Sequence, residues 1–199
     1  MSKSLNVALI VPRTEAEGPG HRFALWVQGC HFRCSGCCNP HMLPFTPAAV
    51  TPVEEVLAQF LATDTEGLSL LGGEPFEQAE GLAELAKGAK RAGRSVMVFT
   101  GYTLEELEAK CDPSTQELLD HVDLLVDGRY DASQRTLSRR WIGSDNQRMH
   151  FLTAHYNPLD ARFHDGNHLE IHMRNGQITV NGWPVHGART RVALPLHKG

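Results

Sequence analysis

Apolar residues recur along this chain in two alternating rhythms: short unbroken runs, and stretches with a spacing of three to four. Phe23-Ala24-Leu25-Trp26-Val27-Gln28 is an apolar run that stops at Gly29, which predicts a buried strand. At Thr51-Pro52-Val53-Glu54 the rhythm changes. Thr51 is placed to cap a helix, Pro52 to take its first position and Glu54 to complete a capping box. Val53, Val56, Leu57, Phe60 and Leu61 then share one helical face.

The alternation continues. Leu68-Ser69-Leu70-Leu71 predicts a second strand, ended by Gly72-Gly73-Glu74-Pro75, and a helical pattern runs from Gln78 to Ala92 with Gly93 as its stop. Ser95 to Phe99 predicts a third strand, ended by Thr100-Gly101-Tyr102; Thr103-Leu104-Glu105-Glu106 then opens a capped helix, and a further helical stretch covers 114–121. Val122 to Val126 predicts a fourth strand, ended by Asp127-Gly128-Arg129-Tyr130. Strands alternating with helices imply an α/β fold with right-handed crossovers and a parallel sheet, either open or curled into a partial (β/α) barrel. Sites in such folds lie at the carboxyl ends of the strands, so the segments that end these four strands are expected on one rim.

Near residue 150 the pattern changes to strict alternation. Leu169, Ile171 and Met173 alternate with Glu170, His172 and Arg174, and Asn175-Gly176 turns the chain into Gln177-Ile178-Thr179-Val180. This predicts a β-hairpin with a type I′ turn. The chain divides on this reading into a core, residues 1–150, and a C-terminal extension, 151–199, that carries the hairpin.

Composition narrows the class. With 199 residues, 41% of them hydrophobic, the chain can bury one sizeable core. Its formal charge of −4 with no dense basic block argues against nucleic acid as a partner. MSKSLNVALIVP at the start lacks a secretory pattern, and no apolar run is long enough to span a bilayer, so a cytoplasmic protein without membrane contact is expected.

Four of the five cysteines crowd into Cys30-His31-Phe32-Arg33-Cys34-Ser35-Gly36-Cys37-Cys38. In a reducing compartment these thiols are ligands or reactive groups rather than structural disulfides. Cys30, Cys34 and Cys37, spaced C-x3-C-x2-C, can wrap one compact inorganic centre and leave a fourth position open; Cys38, adjacent to Cys37, points elsewhere. Two readings of the loop alone stay open: a 4Fe-4S cluster with one exposed iron, or a zinc site completed by His31 or His41. The glycines of Gly72-Gly73 let backbone approach a ligand closely, and Glu74 beside them can accept from an ammonium group, so an amino-acid-like ligand would suit the rim.

The C-x3-C-x2-C loop and Gly72-Gly73-Glu74-Pro75 resemble the radical S-adenosylmethionine superfamily. More closely, the chain is similar to the activating enzymes of anaerobic ribonucleoside-triphosphate reductase. That likeness rests on Glu17-Gly18-Pro19-Gly20-His21-Arg22, Gly29-Cys30, Ser35 to Asn39, Leu68 to Pro75, Thr100-Gly101-Tyr102, Asp123 to Gly128 and Gly143-Ser144-Asp145-Asn146-Gln147. Gly36 stands where many superfamily members have an aromatic residue, though this branch also has glycine, and Cys38 stands where the branch typically has Tyr. Residues 151–199 extend beyond the shortest members.

The resemblance implies a radical-type partial barrel and a 4Fe-4S cluster held by Cys30, Cys34 and Cys37. It also implies reductive cleavage of S-adenosylmethionine to a 5′-deoxyadenosyl radical, which takes hydrogen from a backbone glycine of a partner enzyme. Gly72, Gly73, Glu74 and Pro75 would receive the methionyl amino group, Gly36 and Cys38 would border the adenine, and Thr100 and Asp127 would serve the ribose or methionyl part. Asp127 has an alternative role in a turn with Gly128. An electron donor such as flavodoxin or ferredoxin is implied as a further partner. Two other functions compete: radical chemistry on a peptide or small molecule, and a zinc-stabilised interaction module. Elsewhere plain readings are expected: Cys111 as a small packing residue, Arg135, Arg139, Arg140 and Arg148 as a solvated loop, and no zinc site at His164, His168 and His172.

Overall fold

The computed structural model describes residues 3–174, 177–182 and 191–193. In chain order the strands and α-helices are β1 (Ser4–Thr14), β2 (Arg22–Val27), β3 (Ala49–Pro52), α1 (Val53–Leu61), β4 (Gly67–Gly72), α2 (Ala79–Arg91), β5 (Ser95–Phe99), α3 (Leu104–Ala109), α4 (Pro113–Leu119), β6 (Leu124–Asp127), β7 (Arg148–Phe151), β8 (Leu169–Arg174), β9 (Gln177–Gly182) and β10 (Arg191–Ala193). Seven strands form one sheet in the order β3-β1-β2-β4-β5-β6-β7, and three more form a second, β10-β9-β8.

The middle of the large sheet is parallel, β2-β4-β5-β6, with β2 Arg22 beside Gly67 and β5 Met97 beside Leu124. β1, β3 and β7 join it antiparallel. The four strands with helical crossovers are those expected from the apolar runs. The flanking strands β1, β3 and β7 are additions, and β3 and β7 end the sheet without pairing to each other, so it is not a closed barrel.

Pleating sends alternate residues of each strand to opposite faces. Phe23, Leu25, Val27, Leu68, Leu70, Val96 and Val98 face α1, α2 and α4, meeting Val56, Phe60, Leu82, Leu85 and Leu118 in the main core. Phe23 and Phe60 touch edge to face at 5.6 Å, and burial of a side chain of that size is worth about 2–3 kcal/mol. The other parity faces away from the helices. Ala24, Trp26 and Leu71 gather with Leu9, Val11 and Met42, while Met97, Leu124 and Val126 gather with Trp141, Ile142 and Tyr156. Loops, not helices, cover this second face.

Several local expectations change. Thr51 does not cap α1: it lies in β3 opposite Leu5, its hydroxyl bonds Ala49 O, and the cap position is Pro52 with no side-chain bond. Strand pairing with β1 outcompetes the capping box. Leu61 is exposed at the end of the helical face. The capping box at Thr103 forms as expected, with Thr103 accepting from Glu106 N and Glu106 from Thr103 N. Gly93, at φ +73, follows α2 in the left-handed conformation. The expected hairpin is β8–β9, Arg174 opposite Gln177; its turn, Asn175-Gly176, falls outside the described residues.

Candidate metal centre

The parallel strands end together, and the loops after them meet around one cavity of about 230 Å³. Cys30, Cys34, Cys37 and Cys38 border it, with Gly72, Gly73, Glu74, Thr100 and Gly128. The cysteine loop is closed at its neck: Gly29 N donates to Met42 O at 2.8 Å and Cys30 N to Leu43 O at 3.0 Å. Inside the loop Cys37 N donates to Cys34 O, and Gly36 adopts φ +76, which turns the chain at little cost only because the residue is glycine.

Cys30 is buried, Cys34 and Cys37 are half-buried, and Cys38 is exposed. Burial pushes the Cys30 thiol up to about 11 and raises Cys37 as well. Thiols held neutral in this way release protons when a metal binds. Among the described residues, no three His, Cys, Asp or Glu side chains converge as the ligands of a metal ion. His31 is held elsewhere, its Nδ1 at 2.7 Å from Glu77. Three soft donors spread around one cavity fit a cluster gripped at three corners better than a closed tetrahedral zinc site.

The Gly-Gly-Glu-Pro segment is a joint between strands. A Cβ on Gly73 would sit 2.2 Å from Gly29 O, and one on Gly72 (φ +113) would meet the Val27 backbone. Gly73 N donates to Val27 O and Glu74 N to Gly29 O. The close approach that requires these glycines is therefore to the base of the cysteine loop. The Glu74 carboxylate is buried and accepts from Phe76 N, Thr100 Oγ1 and Gly101 N at 3.0, 2.8 and 2.8 Å. It ties the loop after β4 to the loop after β5. Burial pushes its carboxyl up to about 7, against the three bonds that favour the charged form. Thr100 serves the same tie and accepts from Tyr102 N.

Pro75, Gly36 and Asp127 do not border the cavity. Asp127 is fully buried. It accepts from Leu104 N, the first residue of α3, at 2.7 Å and from Arg148 Nε at 3.1 Å, with His150 Nε2 at 3.0 Å. Its place is an anchor joining β6, α3 and β7.

Two expectations away from the cavity change, for the arginines of 139–140 and for Cys111. Arg140 is buried against Arg162 O and Trp141, and Arg139 donates to Asp145 O and Gln147 O, so these arginines staple the loop. Cys111 is exposed rather than packed. His164 meets Pro158 O and His168 lies near Arg140, while the His172 side chain falls outside the described residues.

Among the cavity residues that had no assigned role in the sequence are Glu17, Trp141 and Asn181. Glu17 lay inside a quoted motif without a role. It is half-buried, accepts from Gly182 N at 2.8 Å, and has its carboxyl pushed up to about 7 by desolvation. Asn181 donates to Thr14 Oγ1 at 2.7 Å and to Glu170 Oε2 at 3.1 Å, joining β9 to the end of β1.

Four cysteines of one loop border a cavity at the carboxyl edge of a parallel sheet, and the 4Fe-4S single cluster domain family matches residues 16–150, which makes this an iron–sulfur protein. Anaerobic ribonucleoside-triphosphate reductase-activating proteins are similar over most of their length. That of Pasteurella multocida is 34% identical over 163 residues, 76% of this chain and 100% of the relative. That of Vibrio cholerae is 33% identical over 158 residues (75% and 99%), and that of Haemophilus influenzae 31% over 157 residues (73% and 97%). This chain belongs to the family of anaerobic ribonucleoside-triphosphate reductase-activating proteins. Among the described residues, no helix is long and apolar enough to cross a membrane.

Proposed function

We propose that this protein is a radical S-adenosylmethionine enzyme that installs a glycyl radical on an anaerobic ribonucleotide reductase. The observation that carries this reading is the meeting of Cys30, Cys34 and Cys37 with Gly72, Gly73 and Glu74 around one cavity, in a chain of the activating-protein family. When bound, a 4Fe-4S cluster with one open iron supplies the electron that cleaves S-adenosylmethionine and starts hydrogen abstraction from the partner's glycine.

Cys30, Cys34 and Cys37 would hold the cluster. Gly72 and Gly73 place backbone beside it to receive the methionyl amino group, and Glu74 fixes that backbone through Thr100 and Gly101 instead of contacting the ligand with a free carboxylate. The walls from Trp26, Leu71 and Phe99 keep water from a reactive species. On this reading the mostly parallel sheet serves as the partial (β/α) barrel of the radical S-adenosylmethionine type. Residues 1–150 are its core and 151–199 an extension, the electron donor is a flavodoxin or ferredoxin, and the enzyme works in the cytoplasm.

Anaerobically reconstituted protein given dithionite and S-adenosylmethionine should yield 5′-deoxyadenosine, and addition of the reductase should bring a doublet glycyl EPR signal. An intact cluster with neither product would overturn the reading. 5′-Deoxyadenosine without any glycyl signal on a supplied reductase would point instead to a peptide or small-molecule substrate.

A further inference from the structure

Arg33 stands between Cys30 and Cys34 on the cysteine loop and is exposed. Its Nη1 donates to the carbonyl of Cys30 at 2.5 Å and to that of Phe32 at 3.2 Å, so the guanidinium is pinned to the backbone of a proposed cluster ligand. Among the described residues it meets no carboxylate, which leaves its charge uncompensated. Beside it the rings of His31, Phe32 and Tyr102 form a small pad, with Phe32 centred 4.0 Å from His31 and 4.9 Å from Tyr102. Gly101 makes room for this packing, since a Cβ there would sit 2.6 Å from the Phe32 ring. Arg129 lies 4.5 Å over Phe32, and Lys110 lies 3.9 Å over Tyr102. Two carboxylates share the pad, and both are engaged. Glu106 holds Arg129 at 3.1 Å, while Glu77 accepts from the Tyr102 hydroxyl at 3.2 Å and lies 2.7 Å from His31 Nδ1. The cations left without a carboxylate are Arg33 and Lys110.

Neither of these two cations borders the cavity, nor do His31, Tyr102 and Arg129. That position separates two tasks. Hydrogen has to be taken where the radical forms, so the glycine of the partner must reach the cavity lining. An electron has only to come close to the cluster, and it can enter through the part of the ligand loop that faces away from the cavity. The whole chain carries a formal charge of −4, so an acidic protein is repelled by most of its surface, and an exposed cation on the ligand loop fixes where such a protein meets it. Aromatic rings and arginine are the side chains enriched where proteins touch, and a flat pad of rings suits the exposed edge of a flavin.

We propose that Arg33, with Lys110 beside Tyr102, is the docking point of the electron donor, a small acidic flavoprotein of the flavodoxin type that presents its reduced flavin to the outer side of the cysteine loop. One electron leaves the reduced flavin and enters the cluster; no bond forms or breaks, and no further reactant is consumed. The inference rests on the S-adenosylmethionine reading above and adds the surface through which its electron arrives. Contacts of this kind are small and transient, so charge acts chiefly on the rate of encounter.

Stopped-flow mixing of reconstituted protein with photoreduced flavodoxin, followed by bleaching of the cluster absorbance, tests this without turnover. Arg33→Glu should slow reduction about tenfold, Lys110→Glu about threefold, and Arg33→Lys, which keeps the charge, less than about twofold. Dithionite, a small reductant with no docking face, should reduce all four proteins at rates within about twofold. Raising salt from about 50 to about 200 mM should slow flavodoxin with the wild type and change little with Arg33→Glu. Calorimetric titration with oxidised flavodoxin should rank the affinities in the same order. A wild-type flavodoxin rate in Arg33→Glu overturns the proposal, even if the KM for the reductase rises, and so does an equal loss in Arg33→Lys and Arg33→Glu. Should Arg33→Glu fail to hold iron and sulfide, Lys110→Glu decides, and an unaltered flavodoxin rate there overturns the proposal. Reduction of the wild type by ferredoxin and not by flavodoxin overturns the choice of donor. A wild type that takes up no iron and sulfide overturns the reading beneath it.

Discussion

Cys30, Cys34 and Cys37 border the cavity from a loop whose fourth cysteine, Cys38, is exposed. Cys34→Ser should lose iron and acid-labile sulfide after reconstitution, whereas Cys38→Ser and Cys111→Ser should keep both; a full cluster in the Cys34 variant would break the ligand assignment. Glu17 and Glu74 carry a different expectation. Burial lifts both carboxyls from an ordinary 4.5 to about 7. Between those values the folded chain keeps protons that the unfolded chain has lost, so stability falls as pH rises through that window and levels off above it. Each group accounts for on the order of 3 kcal/mol. Denaturant titration of the cluster-free chain should find it weaker at pH 8 than at pH 5, and Glu17→Gln should flatten part of that slope. The cysteine loop stood out by its spacing, which by itself left a 4Fe-4S cluster and a zinc site both open. Asp127 follows a strand as site residues do, and its burial against an arginine 21 residues away carries no mark in the sequence.

At the scale of elements, the short helix α3 depends on its cap. Thr103→Ala removes the bond from Glu106 N and should cost about 1 kcal/mol in chemical denaturation. Gly73→Ala should do more, because its Cβ would meet Gly29 O at 2.2 Å. It should lower the melting temperature and also the iron bound per chain, by pushing the loop after β4 off the base of the cysteine loop. Strands β2, β4, β5 and β6 were readable because each is a short apolar run between breakers. β1 and β3 were not, since their identity comes from pairing with each other and with β2. The one false cap, Thr51, sits where that pairing takes over.

Across the whole molecule, residues beyond 150 pack into the same core as the strands of the large sheet. Arg22 is completely buried at the start of β2, its guanidinium bonded to Ser69, Ser95, the Leu68 carbonyl and the Tyr156 hydroxyl. Tyr156→Phe removes one acceptor from a buried cation and should destabilise the fold by about 1.5–3 kcal/mol, measured as a shift in denaturation midpoint. The alternation of 169–180 announced the hairpin, but nothing in it announced that Asn181 and Gly182 would close a wall of the cavity, because that docking joins residues more than 160 positions apart. The neck of the cysteine loop has one more consequence. Two backbone bonds, Gly29 to Met42 and Cys30 to Leu43, close it from within the polypeptide. A chain without its cluster should therefore keep this neck closed and take up iron and sulfide without being unfolded first.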